Sequence, residues 1–247
     1  MKKYIVLGLI FISATVSAQT DIERANVAYN DKNYQQAVEL YEKVLTENGV
    51  SAEVYYNLGN AYFRMKQVAP AILNYERALL LDPGNRDIRH NLAYAQAQTV
   101  DKIEPIDEFF LTTAYNAVKN LFSANQWAYY AIACFLLFIT GAALFFFTRR
   151  SVWKKIGFFG GLSFLVFCLM FNTFTYNQKK KLTQRNTAII FAATITIKST
   201  PDSSGADLFI LHAGTKVELI NPMGEWFEIE TADGNVGWVK RSEIEII

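Results

Sequence analysis

Three apolar blocks interrupt an otherwise mixed hydrophobic and polar pattern, and each predicts its own element. The first, MKKYIVLGLIFISATVSAQT, has a basic start at Lys2 and Lys3, an apolar core from Tyr4 to Ile12, and small residues at Val16 and Ala18. This is the layout of a cleavable signal peptide over 1–18, with Gln19 beginning the mature chain. An uncleaved anchor is the alternative, for which the apolar core is short. The stretches 126–147 and 156–176 carry no charge and are each long enough to cross about 30 Å of hydrocarbon as helices. With the loop 148–155 between them they predict a transmembrane hairpin.

Orientation follows from the flanks. Trp127, Tyr129 and Tyr130 mark one interface, and Tyr176 marks the same side on return. Arg149, Arg150, Lys154 and Lys155 favour a cytoplasmic loop, while Lys179, Lys180, Lys181 and Arg185 balance that count on the other side. The signal peptide breaks the tie. It predicts a two-pass protein of the inner (cytoplasmic) membrane with both flanking segments in the periplasm. Gly157 and Gly161 form a G-x-x-x-G at the depth of Gly141, a pattern for close packing of the hairpin or of two copies. Cys134 and Cys168 lie within the same stretches and read as small packing residues rather than a redox pair. The exported parts then hold no disulfide framework.

Between the first and second blocks the apolar positions recur at helical spacing, and the segment repeats itself. Displaced by 34 residues, Ala37 falls on Ala71, Tyr41 on Tyr75, Val44 on Ala78 and Asn26 on Asn60; Asn57-Leu58-Gly59 recurs as Asn91-Leu92-Ala93. Residues 52–85 resemble the tetratricopeptide repeat, with Tyr55, Leu58, Gly59, Tyr62, Ala71, Tyr75, Ala78 and a closing Pro83 at its characteristic positions. The resemblance implies an all-α array over 19–104: a first repeat at about 18–51, a second at 52–85 and a capping helix over 86–100. Gly59 is expected to be a small mid-helix contact opposite Ala71, and Asp82-Pro83-Gly84-Asn85 to supply the turn that ends the second helix of its pair.

Stacked repeats form a concave face lined by the first helix of each pair. That face is expected to present Asn26 and Tyr29, then Tyr56, Asn57, Asn60, Phe63 and Arg64, then His90, Asn91 and Tyr94. One subset of the family grips a peptide carboxylate with two asparagines and three basic residues. Asn26 and Asn57 match its asparagines, but Ile22, Asp87 and Asn91 occupy its basic positions, so that clamp is absent and a polar, aromatic groove for a peptide segment is expected. Solvated helix surface is the alternative reading of these residues.

After an amphipathic linker (105–125) and the hairpin, the pattern changes to alternation. Residues 194–198, 208–211, 216–220, 226–230 and 237–239 predict five short strands, with Asn221-Pro222 and Asp233-Gly234 among the breaks. The tail, 186–247, resembles a bacterial SH3-like domain through Gly214, Trp226 and Gly237-Trp238-Val239, which implies a small all-β barrel. Both tryptophans are expected in its core or at its closure.

Composition adds mainly exclusions. A net charge of +1 supplies no field for nucleic acid, and four basic against nine acidic residues in the tail disfavour an anionic polymer there. The two histidines, His90 and His212, stand apart from any second histidine or cysteine in a metal spacing, and no phosphate-binding glycine motif occurs. No enzyme, metal or cofactor is expected. The whole order is that of a multi-domain membrane protein and resembles the BatE-type proteins of the Bacteroides aerotolerance (Bat) group. That resemblance implies membrane partners with von Willebrand A domains, indirect coupling to a MoxR-type ATPase, and a role in stress or oxygen tolerance. The expected function is an inner-membrane adaptor that docks proteins through its groove and tail. An envelope sensor whose tail binds peptidoglycan or peptide is the alternative.

Overall fold

The computed structural model describes residues 21–106 and 109–247, so the predicted signal peptide lies outside the described residues. These residues divide into two compact units: the N-terminal helices together with the C-terminal sheet, and residues 81–84 with 108–184.

The first unit opens with α1 (21–30), α2 (Tyr34–Asn48), α3 (Ala52–Arg64), α4 (Val68–Leu81) and α5 (Arg86–Gln96). The period in the sequence is also a period in the backbone. Lys32 and Lys66 both take positive φ, at 61° and 62°. Each stands in a turn closed by an equivalent bond, Asn33 N–H to Ala28 O at 2.9 Å and Gln67 N–H to Tyr62 O at 3.0 Å. A left-handed residue at this point lets the chain reverse in three residues, which brings the two helices of a pair side by side. Asn85 caps α5, its side chain accepting from the Asp87 and Ile88 amides.

Two apolar clusters hold these helices. Ala25, Ala37, Tyr41, Val54, Leu58 and Ala61 form one; Ala71, Ile72, Tyr75, Ala78, Ile88, Leu92 and Ala95 form the other. Gly59 serves the second interface. A Cβ placed on it would lie 2.7 Å from the Tyr75 ring, so the glycine makes room for a buried aromatic. Close packing leaves no space there for a further methyl group.

The tail is a single seven-stranded antiparallel sheet in the order β3-β2-β6-β5-β4-β1-β7. Its strands are β1 (Thr187–Ile190), β2 (Thr194–Lys198), β3 (Asp207–His212), β4 (Lys216–Met223), β5 (Trp226–Glu230), β6 (Val236–Lys240) and β7 (Ile244–Ile246). Two strands exceed the five expected, β1 and β7, which pair with each other. Asn221-Pro222 is not a break. It lies within β4, where the register shifts between Leu219 and Asn221, the kind of irregularity that tolerates a proline. The reversal comes two residues later at Gly224, whose φ is +59°. Trp226 and Trp238 are half-buried and stand outside the core of Ala188, Ile190, Ile195, Ile197, Leu211, Val217, Ile229, Val239 and Ile244. Aliphatic side chains fill that space, and Trp226 instead lies under Lys240, its ammonium 5.6 Å from the ring centroid.

The sheet and the helices share a core. Ile189 of β1 and Ile247 belong to the cluster around Ile72 and Tyr75. Polar groups then fix the register of this contact. Lys216 reaches Glu76 at 2.7 Å, and Arg77 donates to the Ile246 carbonyl at 2.7 Å. Beyond α5, the Asp101 carboxylate accepts from the His212 amide, from His212 Nδ1 and from the Thr215 hydroxyl, at 2.6–2.7 Å. Gly214, at φ +92°, is pressed against Thr99 and Ile72, where an added Cβ would meet Thr99 at 2.7 Å.

The second unit contains α6 (Phe110–Lys119), α7 (Ala124–Phe147) and α8 (Ser151–Gln184). The last two are long and apolar enough to cross a membrane, and most of their side chains are exposed. They pack through their glycines: a Cβ on Gly141 would lie 2.8 Å from both Gly157 O and Gly161 Cα. Ser123 and Gln126 form a reciprocal capping box at the start of α7. The segment expected as an amphipathic linker therefore contains a ten-residue helix, and α8 runs beyond its apolar stretch to Gln184.

Two outcomes follow. Gly59→Val should destabilise the first unit by about 1–3 kcal/mol, read by chemical denaturation, because the Tyr75 ring must move and the helix takes a β-branched residue. Partial burial works to raise the Asp101 pKa, but the hydrogen bonds from Thr215 and His212 outweigh it and hold the carboxyl below its ordinary value. Its stabilisation is complete above about pH 4, the unfolded value, and is lost as pH falls through the depressed folded one. Hydrogen exchange at the His212 and Thr215 amides should rise in that acidic window, and in Asp101→Ala it should be raised already at neutral pH.

Candidate functional site

The hollow side of the helical segment is built from one motif used twice. Tyr41 donates to Asn26 Oδ1 at 2.6 Å, and Asn57 Nδ2 approaches the same oxygen at 3.5 Å. One repeat on, Tyr75 donates to Asn60 Oδ1 at 2.8 Å, and Asn91 Nδ2 to the same oxygen at 2.9 Å. Asn91 also donates to the Tyr56 hydroxyl at 3.0 Å. Each motif thus ties the second helix of one pair to the first helices of two successive pairs.

The chemistry of the tyrosines gives these bonds a direction. Burial pushes the Tyr41 hydroxyl up to about 12, helped by Tyr29 and Glu53, and raises that of Tyr75 further. Both phenols keep their protons at any physiological pH and act as donors. The oxygens of Asn26 and Asn60 are therefore engaged inside the protein, and their N–H₂ groups are what remains to offer a ligand.

Two hollows lie over these motifs. One, of about 320 Å³, is lined by Asn26, Tyr29, Asn30, Tyr41 and Asn57. The other, of about 430 Å³, is lined by Tyr29, Tyr56, Asn60, Phe63, Arg64, Tyr75, Asn91 and Tyr94. Phe63 and Tyr94 meet edge to face at 5.5 Å, and Arg64 Nε donates to the Tyr29 hydroxyl at 3.4 Å. The lining contains one cation and no carboxylate, so the surface presents donors and aromatic faces.

Of the ten residues expected on this face, nine line the hollows. His90 lies exposed on α5 and lines neither, because the hollow-facing side of that helix carries Asn91 and Tyr94. Asn30, Tyr41 and Tyr75 also line them and were not expected there. Asn30 is four residues after Asn26, on the same helical face, which is a signal the sequence contained. In the sequence Tyr75 reads as a packing residue and Tyr41 only as its repeat counterpart, because periodicity does not show that their hydroxyls reach Asn60 and Asn26. Among the described residues no group of three His, Cys, Asp or Glu could hold a metal ion.

Comparison with known proteins agrees with this geometry in two places. Residues 52–85 match the family model of the tetratricopeptide repeat, and residues 193–245 match that of the bacterial SH3 domain. The chain carries a tetratricopeptide repeat and an SH3-like tail. Sperm-associated antigen 1 of Mus musculus is 35% identical over 74 residues, 30% of this chain. The chain spans only 8% of that mouse protein's length. The crystal structure of the Sgt2 TPR domain from Aspergillus fumigatus aligns at 15% identity, covering 69% of this chain and 82% of its own, with a TM-score of 0.31. Tetratricopeptide repeats are typically non-catalytic scaffolds for protein interaction.

Tyr41→Phe and Tyr75→Phe remove the hydroxyls that orient Asn26 and Asn60. Each should lower stability by about 0.5–1.5 kcal/mol in thermal denaturation.

Proposed function

We propose that this protein is an adaptor held at the inner membrane, with its repeat groove and SH3-like tail in the periplasm. The groove binds an extended peptide segment of a partner. The observation that carries this reading is the doubled tyrosine–asparagine motif under the two hollows, which occupies the oxygens of Asn26 and Asn60 and leaves their N–H₂ groups, at repeat spacing, for a ligand. Such N–H₂ groups match the carbonyls of an extended backbone, and Phe63, Tyr94 and Tyr29 offer faces for its side chains. The same-side placement of the two soluble parts is supported by their shared core of Ile72, Ile189 and Ile247, since residues that pack together cannot be separated by a bilayer. Two crossings by α7 and α8 return the chain to the side it left. The finer reading is a Bat-type assembly, with von Willebrand A domain membrane proteins as direct partners and a MoxR-type ATPase reached through them. It is supported by the order of segments.

A second reading, an envelope sensor whose tail binds peptidoglycan, draws on Trp226. That ring is half-buried under Lys240 on the sheet surface, as a platform for a sugar or peptide would be.

Reporter fusions after Asp101 and after Ile247 should both report the periplasm; opposite results would sink the two-crossing arrangement. Crosslinked affinity purification should recover membrane partners with the intact protein. Changing Asn57, Asn60 and Arg64 together to alanine should weaken that recovery by about 30-fold, roughly 2 kcal/mol. Partner recovery left intact by this variant would refute the groove. Retention of the protein on purified cell wall, lost in Trp226→Ala, would favour the sensor.

A further inference from the structure

The short helix before the hairpin leaves open an apolar side that a helix in water would bury. On α6 the side bearing Phe110, Leu111, Val118 and Leu121 of the following turn is open, at 68, 57, 44 and 56% exposure. The side turned to the hairpin carries Tyr115 and Lys119 instead. Lys119 is buried at 5% exposure, its ammonium on Asn116 Oδ1 at 2.7 Å and 5.3 Å from the Tyr115 ring centroid. A soluble amphipathic helix buries its apolar stripe and solvates its polar one.

This helix is pinned at a definite level. Gln178 of α8 donates to the carbonyls of Lys119 at 2.6 Å and Phe122 at 2.8 Å, and Trp127 Nε1 donates to Lys119 O at 2.9 Å. Asn177 donates to the Tyr115 hydroxyl at 2.7 Å. Phe122 then joins the aromatic group at the start of α7, with ring centroids 5.0 Å from Trp127 and 5.1 Å from Tyr130. Tryptophan and tyrosine in such a group mark the headgroup level of a spanning helix. The contacts therefore hold the end of α6 at that level.

We propose that α6 is an interfacial helix, lying in the surface of the bilayer that α7 and α8 cross, with its Phe110–Leu111–Val118–Leu121 side inserted at the acyl boundary. The inference rests on the reading of α7 and α8 as membrane-spanning. Charge favours lipid as the occupant: Lys179, Lys180 and Lys181 follow directly on Gln178, and from residue 109 to residue 184 the chain contains no Asp or Glu, the nearest in sequence being Asp107 and Glu108. An anionic headgroup layer meets the three lysines at that level. The apolar side of α6 thus continues the lipid-facing surface of the hairpin.

Depth measurement on the full chain tests this. Cys134→Ala and Cys168→Ala clear the background, and single nitroxide labels are placed at Leu111→Cys, Val118→Cys, Thr112→Cys and Thr113→Cys. The protein is reconstituted in vesicles of phosphatidylethanolamine and phosphatidylglycerol, with Leu137→Cys of α7 as the reference position. Labels at 111 and 118 should collide with oxygen in preference to an aqueous nickel chelate, and those at 112 and 113 should show the reverse. Nickel access at 111 and 118, with Leu137 immersed, overturns the interfacial helix alone. Shielding of 111 and 118 from both reagents overturns it in favour of a protein covering that face. Nickel access at Leu137 overturns the membrane reading together with it. Amide exchange of the unlabelled protein guards against disturbance by the labels: protection of 110–119 should be greater in these vesicles than in a monomeric detergent, and equal protection counts against the proposal.

Discussion

Everything in the first unit depends on one apolar contact. Ile189 and Ile247, from opposite edges of the tail's sequence, enter the cluster formed by Ile72, Tyr75 and their neighbours. A repeat pair exposes an apolar side at the end of its stack, and an array this short has few repeats over which to spread that cost. Here the sheet covers it. The charged groups around the contact, Glu76 with Lys216 and Arg77 with the Ile246 carbonyl, are directional and set where the sheet sits. The apolar burial supplies the free energy, and the polar groups supply the register.

Much of this was legible before any coordinates, and the limits have physical causes. Helical periodicity and a 34-residue displacement locate the repeat because each unit must place small and large residues at the same crossing points. The same displacement relates Tyr41, Asn26 and Asn57 to Tyr75, Asn60 and Asn91, which the structure shows to be two copies of one hydrogen-bonded motif. What periodicity cannot give is depth. It puts Trp226 and Trp238 in the barrel core or at its closure because large aromatics are usually buried, whereas aliphatic side chains, mostly isoleucine and valine, occupy that core. Nor could it foresee that β1 and β7 pair, since Thr187–Ile190 and Ile244–Ile246 are too short for alternation to show and are made strands by each other. The docking of sheet on helices was invisible for a similar reason: Asp101 and His212 are distant in sequence, and neither belongs to a motif.

In the proposed groove a packing device would also serve recognition. A buried tyrosine hydroxyl needs an acceptor, and an asparagine oxygen at the neighbouring helix surface provides it. Satisfying the phenol fixes the amide. The orientation of the amides is thus a by-product of filling the core, and a ligand in the proposed groove would meet groups whose orientation has already been settled.

The shared core also bears on how the protein comes to be made. Ile189 and Ile247 come late in the chain, after the long helices, yet the cluster around Ile72 is finished only when they arrive. The repeat segment, which precedes them, therefore keeps that apolar surface uncovered until they are synthesised. The closing contacts span most of the sequence, and pairings of such separation form slowly. A chain interrupted before β1 would expose an apolar patch suited to capture by a chaperone or a protease. Arrival of the tail is what covers that surface.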